Sequence, residues 1–218
     1  MSNRRDLLLG IGAGIGVAAL ALVAAGRRSG RGHPLDYGFA AAGASVESLG
    51  GQPLRCTAGT LTTRQMEGPF YSPKTPERRD IRDPLVGEAL VVAGRVLDPQ
   101  CRPIAGAVLD FWQTDHLGRY DNQGYRYRGH QRTDEAGRFE LVTVRPSAYT
   151  AMSIFRTPHI HVKVQGANTQ LLNTQLYLPD AEEINARDGG YQPALAIQYV
   201  SREGSAERAV FDFVLASA

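Results

Sequence analysis

His159-Ile160-His161 opens a run, His159 to Gln165, in which polar and apolar residues alternate. Successive side chains of a strand point to opposite faces, so both imidazoles share one face and Ile160 takes the other. Two such nitrogens can reach one metal ion, although paired strand histidines also occur as ordinary hydrogen-bonded residues. No Asp or Glu lies on that strand, which counts against a two-His-one-carboxylate ferrous centre, and no Cys lies nearby to make a zinc or blue-copper set. The remaining hard donors are tyrosines. Phenolate suits ferric iron, whose charge lowers a phenol pKa of about 10, and tyrosine ligates ferric iron in catalase haem. Tyr120 ends Gly118-Arg119-Tyr120 after a strand, and Tyr149 closes Arg145-Pro146-Ser147-Ala148-Tyr149. Loop ends on a rigid sheet commonly carry function. On physical grounds alone, each tyrosine equally suits a residue that caps a sheet with its hydroxyl in water.

The elements that must position these groups read as strands. Ala89 to Leu97 is Val-rich and turns at Asp98-Pro99-Gln100; Ala107 to Gln113 alternates, with Leu109 and Phe111 on one face and Asp110 and Trp112 on the other. Arg138 to Val142 follows the turn Asp134-Glu135-Ala136-Gly137, and Thr174 to Leu178, Leu195 to Ser201 and Ala209 to Leu215 complete the set. Thr60 to Glu67 suits a short helical turn ended by Gly68-Pro69, and Ala181 to Arg187 a helix. Seven or so strands without a βαβ rhythm indicate an all-β protein, an antiparallel β-sandwich.

A chain of 218 residues is long enough for one substantial core. The formal net charge is +2, 22 of its 24 basic residues are Arg, and no basic run exceeds a pair. That leaves no footprint for a nucleic acid. Arg4 and Arg5 precede an apolar stretch from Leu7 to Ala25 punctuated by Gly10, Gly12, Gly14 and Gly16. It reads as a twin-arginine export signal, with a membrane anchor as the alternative. The expected organisation is therefore a signal or anchor over 1–26, a Gly/Ser/Ala-rich tether over 27–51 and one domain over 52–218. The destination is periplasmic or extracellular, with a membrane tether and a homo-oligomer both left open. Cys56 and Cys101, the two cysteines of the chain, are expected to pair in an oxidising compartment.

Several ordered motifs go further. Asp110-Phe111-Trp112-Gln113-Thr114-Asp115, Gly118-Arg119-Tyr120, Arg132-Thr133-Asp134-Glu135-Ala136-Gly137-Arg138-Phe139 and Arg156-Thr157-Pro158-His159-Ile160-His161 resemble those of the intradiol ring-cleavage dioxygenases, the protocatechuate and catechol enzymes among them. Glu67-Gly68-Pro69-Phe70-Tyr71 and Thr174-Gln175-Leu176-Tyr177 also match, so the resemblance covers roughly residues 56 to 200, and the layout is most similar to the secreted branch. The resemblance implies a prealbumin-like sandwich with long active-site loops. It implies Fe(III), with Tyr120 and His159 equatorial beside a hydroxide, and Tyr149 and His161 axial. It implies that Tyr149 also takes a substrate proton, that Arg156 stabilises negative charge on bound substrate, that Gln175 stands near the reacting oxygens, and that Gly68, Pro69 and Tyr71 wall the substrate cleft. Trp112 reads as plain core. The partners implied are a small aromatic diol and dioxygen.

The sequence departs from the family where Pro146-Ser147-Ala148 precedes Tyr149 in place of Pro-Gly and Thr150-Ala151 follows it. The stretches from Tyr120 to Tyr149 and from Tyr149 to His159 are also shorter than in the protocatechuate enzymes, so the substrate loops differ. Two other classes stay open. Gly94-Arg95-Val96-Leu97-Asp98 followed by Pro103-Ile104-Ala105-Gly106-Ala107 also resembles non-catalytic prealbumin-like binding modules, and the His pair also suits an exported zinc or copper hydrolase.

Overall fold

The computed structural model describes residues 56–82, 86–203 and 206–218. The expected signal over 1–26 and tether over 27–51 lie outside them. Among the described residues no helix is long and apolar enough to cross a membrane.

Strand β1 (Ala89–Leu97) is buried on both faces, as its near-continuous apolar run requires of a central strand. Four further strands follow: β2 (Val108–Gln113), β3 (Arg128–Arg132), β4 (Arg138–Val144) and the short β5 (Tyr149–Ala151). They are followed by β6 (Ile154–Arg156), β7 (His159–Gln165), β8 (Leu172–Tyr177), β9 (Gln198–Glu203), β10 (Ala206–Val210) and β11 (Phe213–Val214). One sheet runs β11-β1-β10-β9 with β4 on the other edge of β1; the second runs β3-β2-β7-β8; β5 and β6 form a separate hairpin. Leu90, Val92, Leu141 and Phe213 of the first sheet meet Leu109, Phe111, Ile160 and Val162 of the second in one core.

The second sheet is antiparallel throughout, but the first is mixed, because β1 pairs parallel with both β10 and β11. The antiparallel expectation needs that correction. The β9–β10 hairpin fills the edge of β1 that β4 leaves open, and its inner arm runs in the direction of β1. The C-terminal strand expected over Ala209 to Leu215 is accordingly broken at Phe211-Asp212, where Asp212 accepts the backbone N–H of Arg95 at 2.8 Å and pairs with its guanidinium at 2.7 Å.

Thr60 to Glu67 is not helical. Thr62 donates to the Val214 carbonyl at 3.0 Å, Gln65 to that of Asn173 at 2.8 Å, and Thr174 Oγ1 to that of Thr63 at 2.7 Å. Tertiary partners for an extended backbone outweigh the weak helical preference of a segment with three threonines. The helix α1 (Glu182–Asn185) is shorter than expected, and the segment read as a strand from Leu195 ends a 3-10 turn, Pro193–Leu195, before β9 begins. Cys56 and Cys101 are joined by a disulfide with Cα atoms 5.8 Å apart and a sequence separation of 45. Chain-entropy reasoning assigns a loop of that size about 4 kcal/mol.

Gly94 sits where the broken C-terminal strand crosses β1, and a Cβ there would lie 1.7 Å from the Phe211 carbonyl oxygen. Gly94→Ala is expected to destabilise the protein by about 3 kcal/mol, the upper end for overpacking a closed contact. Urea unfolding tests it: the midpoint should fall with the slope unchanged.

Candidate metal centre

The register of the second sheet builds the centre. Even positions of β7 (Ile160, Val162, Val164) enter the core, so His159 and His161 face away from it. Across the strands Trp112, His161 and Gln175 form one row, and His159 stands opposite Tyr177. Trp112 is core, as read, and it does more than fill space: its ring stacks parallel on His161, with centroids 4.7 Å apart and 5° between planes. That outer face is not in solvent, since His159 and His161 are buried beneath loops.

Two loops close over the histidines. Gly118, at φ +77°, has the Ala148 carbonyl oxygen 2.3 Å from where its Cβ would be, a contact that admits glycine alone and sets the turn before Tyr120 against the approach to Tyr149. Thr114 Oγ1 donates to Ser147 O at 2.9 Å and Ser147 Oγ to His116 O at 2.8 Å, lacing the two loops together. Tyr120 and Tyr149 meet edge to face at 5.3 Å, Tyr120 lies 6.3 Å from His161, and Tyr149 lies 5.7 Å from His159, all between ring centroids. The four residues therefore form one closed cluster.

Every titratable group in the cluster is pushed toward neutrality. Burial, then Arg156, lowers His159 to about 4, and burial, then His159, lowers His161 well below the ordinary imidazole value. Burial and the neighbouring Tyr149 raise Tyr120 well above 10; burial raises Tyr149, opposed by Tyr120 and Arg156. His159 Nδ1 donates to the Thr157 carbonyl at 2.6 Å, which leaves Nε2 with its lone pair aimed at His161 Nε2, 3.1 Å away. Two metal–imidazole bonds of about 2.1 Å meeting at a right angle would set the nitrogens about 3 Å apart. The buried Tyr120 hydroxyl and His161 Nδ1 have no hydrogen-bond partner. A bound cation would take the two facing imidazole nitrogens and the orphaned Tyr120 oxygen together, and its charge would reverse the tyrosine shifts. Among the described residues no three of His, Cys, Asp and Glu gather to hold a metal, so the donors fit a hard ion that accepts phenolate.

Beside the cluster opens a cleft of about 500 Å³, lined by Gly68, Pro69, Tyr149, Arg156 and Gln175 among others. Arg156 stands opposite Tyr149 in the β5–β6 hairpin. Its Nε donates to Asp188 at 3.1 Å and its Nη2 to Gln175 Oε1 at 2.6 Å, while Gln175 Nε2 donates to Met66 O at 3.0 Å. Tyr71 goes elsewhere, which corrects its assignment to the cleft wall. Its hydroxyl donates to Asp110 at 3.0 Å, its ring packs against Trp112 with centroids 4.9 Å apart, and Lys163 Nζ lies over that ring, 3.5 Å from the centroid. Phe70 takes the inward place, stacked on Tyr120 at 4.4 Å.

Sequence reasoning did not find Asp188 or Arg128. Asp188 opens the Asp188-Gly189-Gly190 turn, a signal for a turn but not for a buried carboxylate. Arg128 is fully buried and donates to Phe70 O at 2.7 Å and Asp121 O at 2.9 Å, tying both segments that carry the Tyr120 environment. Nothing local to Tyr125-Arg126-Tyr127-Arg128 distinguishes it from Arg126.

A family model described as Dioxygenase matches residues 66–216, and the chain belongs to that family, the intradiol ring-cleavage class its motifs resemble. The 6-chlorohydroxyquinol 1,2-dioxygenase of Cupriavidus pinatubonensis is 28% identical over 187 residues, 75% of this chain and 66% of that enzyme. Catechol 1,2-dioxygenase 2 of Acinetobacter lwoffii is 29% identical over 159 residues, 59% of this chain and 57% of that enzyme. The chain thus spans about half to two thirds of the length of the curated relatives it matches. Among solved structures, the dioxygenase domain of a dioxygenase carbohydrate-binding protein fusion from Streptomyces sp. SirexAA-E is 41% identical, covers 73% of this chain and 100% of that one, and superposes with a TM-score of 0.67. These relatives do not favour the binding-module alternative.

Proposed function

We propose that this protein opens a catechol-type diol with dioxygen between its two hydroxylated carbons, giving a muconate-type diacid, at a ferric ion held by Tyr120, Tyr149, His159 and His161. The observation that carries the reading is the closure of two phenols and two neutral imidazoles into one cluster in which the Tyr120 hydroxyl is orphaned. A ferric ion bound there supplies the Lewis acidity that ionises a chelating diol and makes its ring reactive toward dioxygen. The protein does the rest. Tyr149 lines the cleft, whereas the Tyr120 hydroxyl is buried, so Tyr149 is the phenolate that meets substrate and takes a proton from its second hydroxyl. Arg156 directs positive charge at the cleft beside Tyr149, favouring the ionised phenol and then the anion that develops on the substrate. Gln175 and Asp188 hold the guanidinium from two sides, so its donors do not reorganise as charge develops.

Reconstitution with ferric iron should give a red-brown charge-transfer band, and isotopically labelled dioxygen should place both of its atoms in the products of a panel of catechols and hydroxyquinols. A colourless protein that binds no iron, or an iron protein inert to the whole panel, refutes the proposal. The twin arginines Arg4 and Arg5 support export of the folded protein by the twin-arginine route. Arg4→Lys together with Arg5→Lys should then strand it in the cytoplasm, and unchanged export of that variant would exclude the route.

A further inference from the structure

The hairpin that carries Tyr149 and Arg156 at its base projects its tip over the mouth of the cleft. Ala151 pairs with Ile154, and Met152 and Ser153 form the turn between them. Both turn residues have positive φ, 51° and 64°, the backbone of a tight hairpin turn that favours Asn and Gly. A methionine there forgoes the residue types that adopt this backbone with least strain. Its side chain is not put to use in the core: Met152 is 75% exposed, Ile154 59% and Met66, across the cleft, 77%, and all three line the cleft. Three large apolar side chains left in water around one opening form a surface that awaits an apolar occupant.

The charge of the cleft points the same way. Of the residues that line it, Arg156 and Asp188 are charged, and they form a buried ion pair with each other at 3.1 Å. A carboxylate on the ring would find one cation in this lining, Arg156, whose charge Asp188 already balances and which stands at the reacting end, away from the apolar rim. The cleft volume of about 500 Å³ also falls within the range of about 300–1,000 Å³ that takes drug-sized ligands, more than a lone six-membered ring fills.

We infer that the substrate is an ortho-diphenol bearing an uncharged, apolar ring substituent that rests on Met66, Met152 and Ile154, and that the tip of the β5–β6 hairpin sets this specificity. The inference rests on the dioxygenase reading and narrows it. The hairpin joins selection to chemistry, since the strands that present Met152 and Ile154 to the substituent hold Tyr149 and Arg156 at the reacting end. Phe155, beneath the guanidinium of Arg187 at 4.6 Å, and Arg156, on Asp188, fasten it to the loop after α1.

The test compares catechol, 4-phenylcatechol and 3,4-dihydroxybenzoate with the iron-loaded full chain, by kcat/KM and by dissociation constants from anaerobic titration. The expected order places 4-phenylcatechol about tenfold above catechol, and 3,4-dihydroxybenzoate below both, in each measure. Met152→Asn, which suits the turn better than methionine, and Ile154→Thr, which keeps a β-branched strand residue, should each lower the ratio of 4-phenylcatechol to catechol several-fold. A protein that opens catechol but prefers 3,4-dihydroxybenzoate, or whose ratio is unmoved in both variants, overturns this inference and leaves the dioxygenase reading standing. A protein that opens none of the three overturns both.

Discussion

Tyr120→Phe is expected to yield a folded, colourless protein that binds ferric iron more than about a hundredfold more weakly, since even an outer partner of a ligand is worth 10- to 100-fold. The iron-free variant should be slightly more stable than the parent. The Tyr120 hydroxyl is buried with no hydrogen-bond partner, and replacing it with hydrogen recovers about 1 kcal/mol of desolvation while the ring keeps its stack on Phe70. Adding iron should raise the melting temperature of the parent, because a ligand that binds only the folded state stabilises it by mass action, and should leave that of the variant unmoved. His161→Ala should lose iron as well, but it leaves a hole against Trp112 and so lowers apo stability, which makes Tyr120→Phe the cleaner experiment. If Tyr120→Phe keeps both the colour and the iron-dependent stabilisation, the ligand set is wrong.

Arg156→Ala should keep iron and colour yet lose about 10²- to 10³-fold in kcat, the loss typical of removing one preorganised donor from a developing anion. It should also destabilise the protein by about 3 kcal/mol, because it leaves the buried Asp188 carboxylate without its cation. These two losses have different causes and can be separated. Asp188 accepts the N–H of Thr157 at 2.9 Å on one oxygen and that of Gly190 at 2.8 Å on the other, so Asp188→Asn added to Arg156→Ala removes the uncompensated charge, keeps one of the two acceptors and should restore part of the stability. It should restore none of the turnover. Recovery of both together would mean that Arg156 serves the fold alone; stopped-flow kinetics beside urea unfolding on the three proteins decides it.

Much of the centre was legible in the chain itself. Strand alternation is a property of the local backbone, so His159 and His161 on one face, Ile160 on the other, and the division of Leu109 and Phe111 from Asp110 and Trp112 followed from the order of residues. The family motifs added the two tyrosines, whose placement no local rule distinguishes from that of any tyrosine at a loop end. What periodicity does not encode is the neighbour. That His161 lies between Trp112 and Gln175, that Asp188 holds Arg156 from 32 residues away, and that Tyr71 retreats behind Trp112 while Phe70 turns inward are matters of register and of contacts between distant segments. The same reason explains the errors: Thr60 to Glu67 is extended because Asn173, Thr174 and Val214 supply its partners, and β1 takes parallel neighbours because the C-terminal hairpin arrives from the far end of the chain. The donor types of this centre are thus written in single residues and two-residue spacings. Its closure, its charge balance and the apolar mouth of its cleft exist only once the sheets have packed and the loops have met.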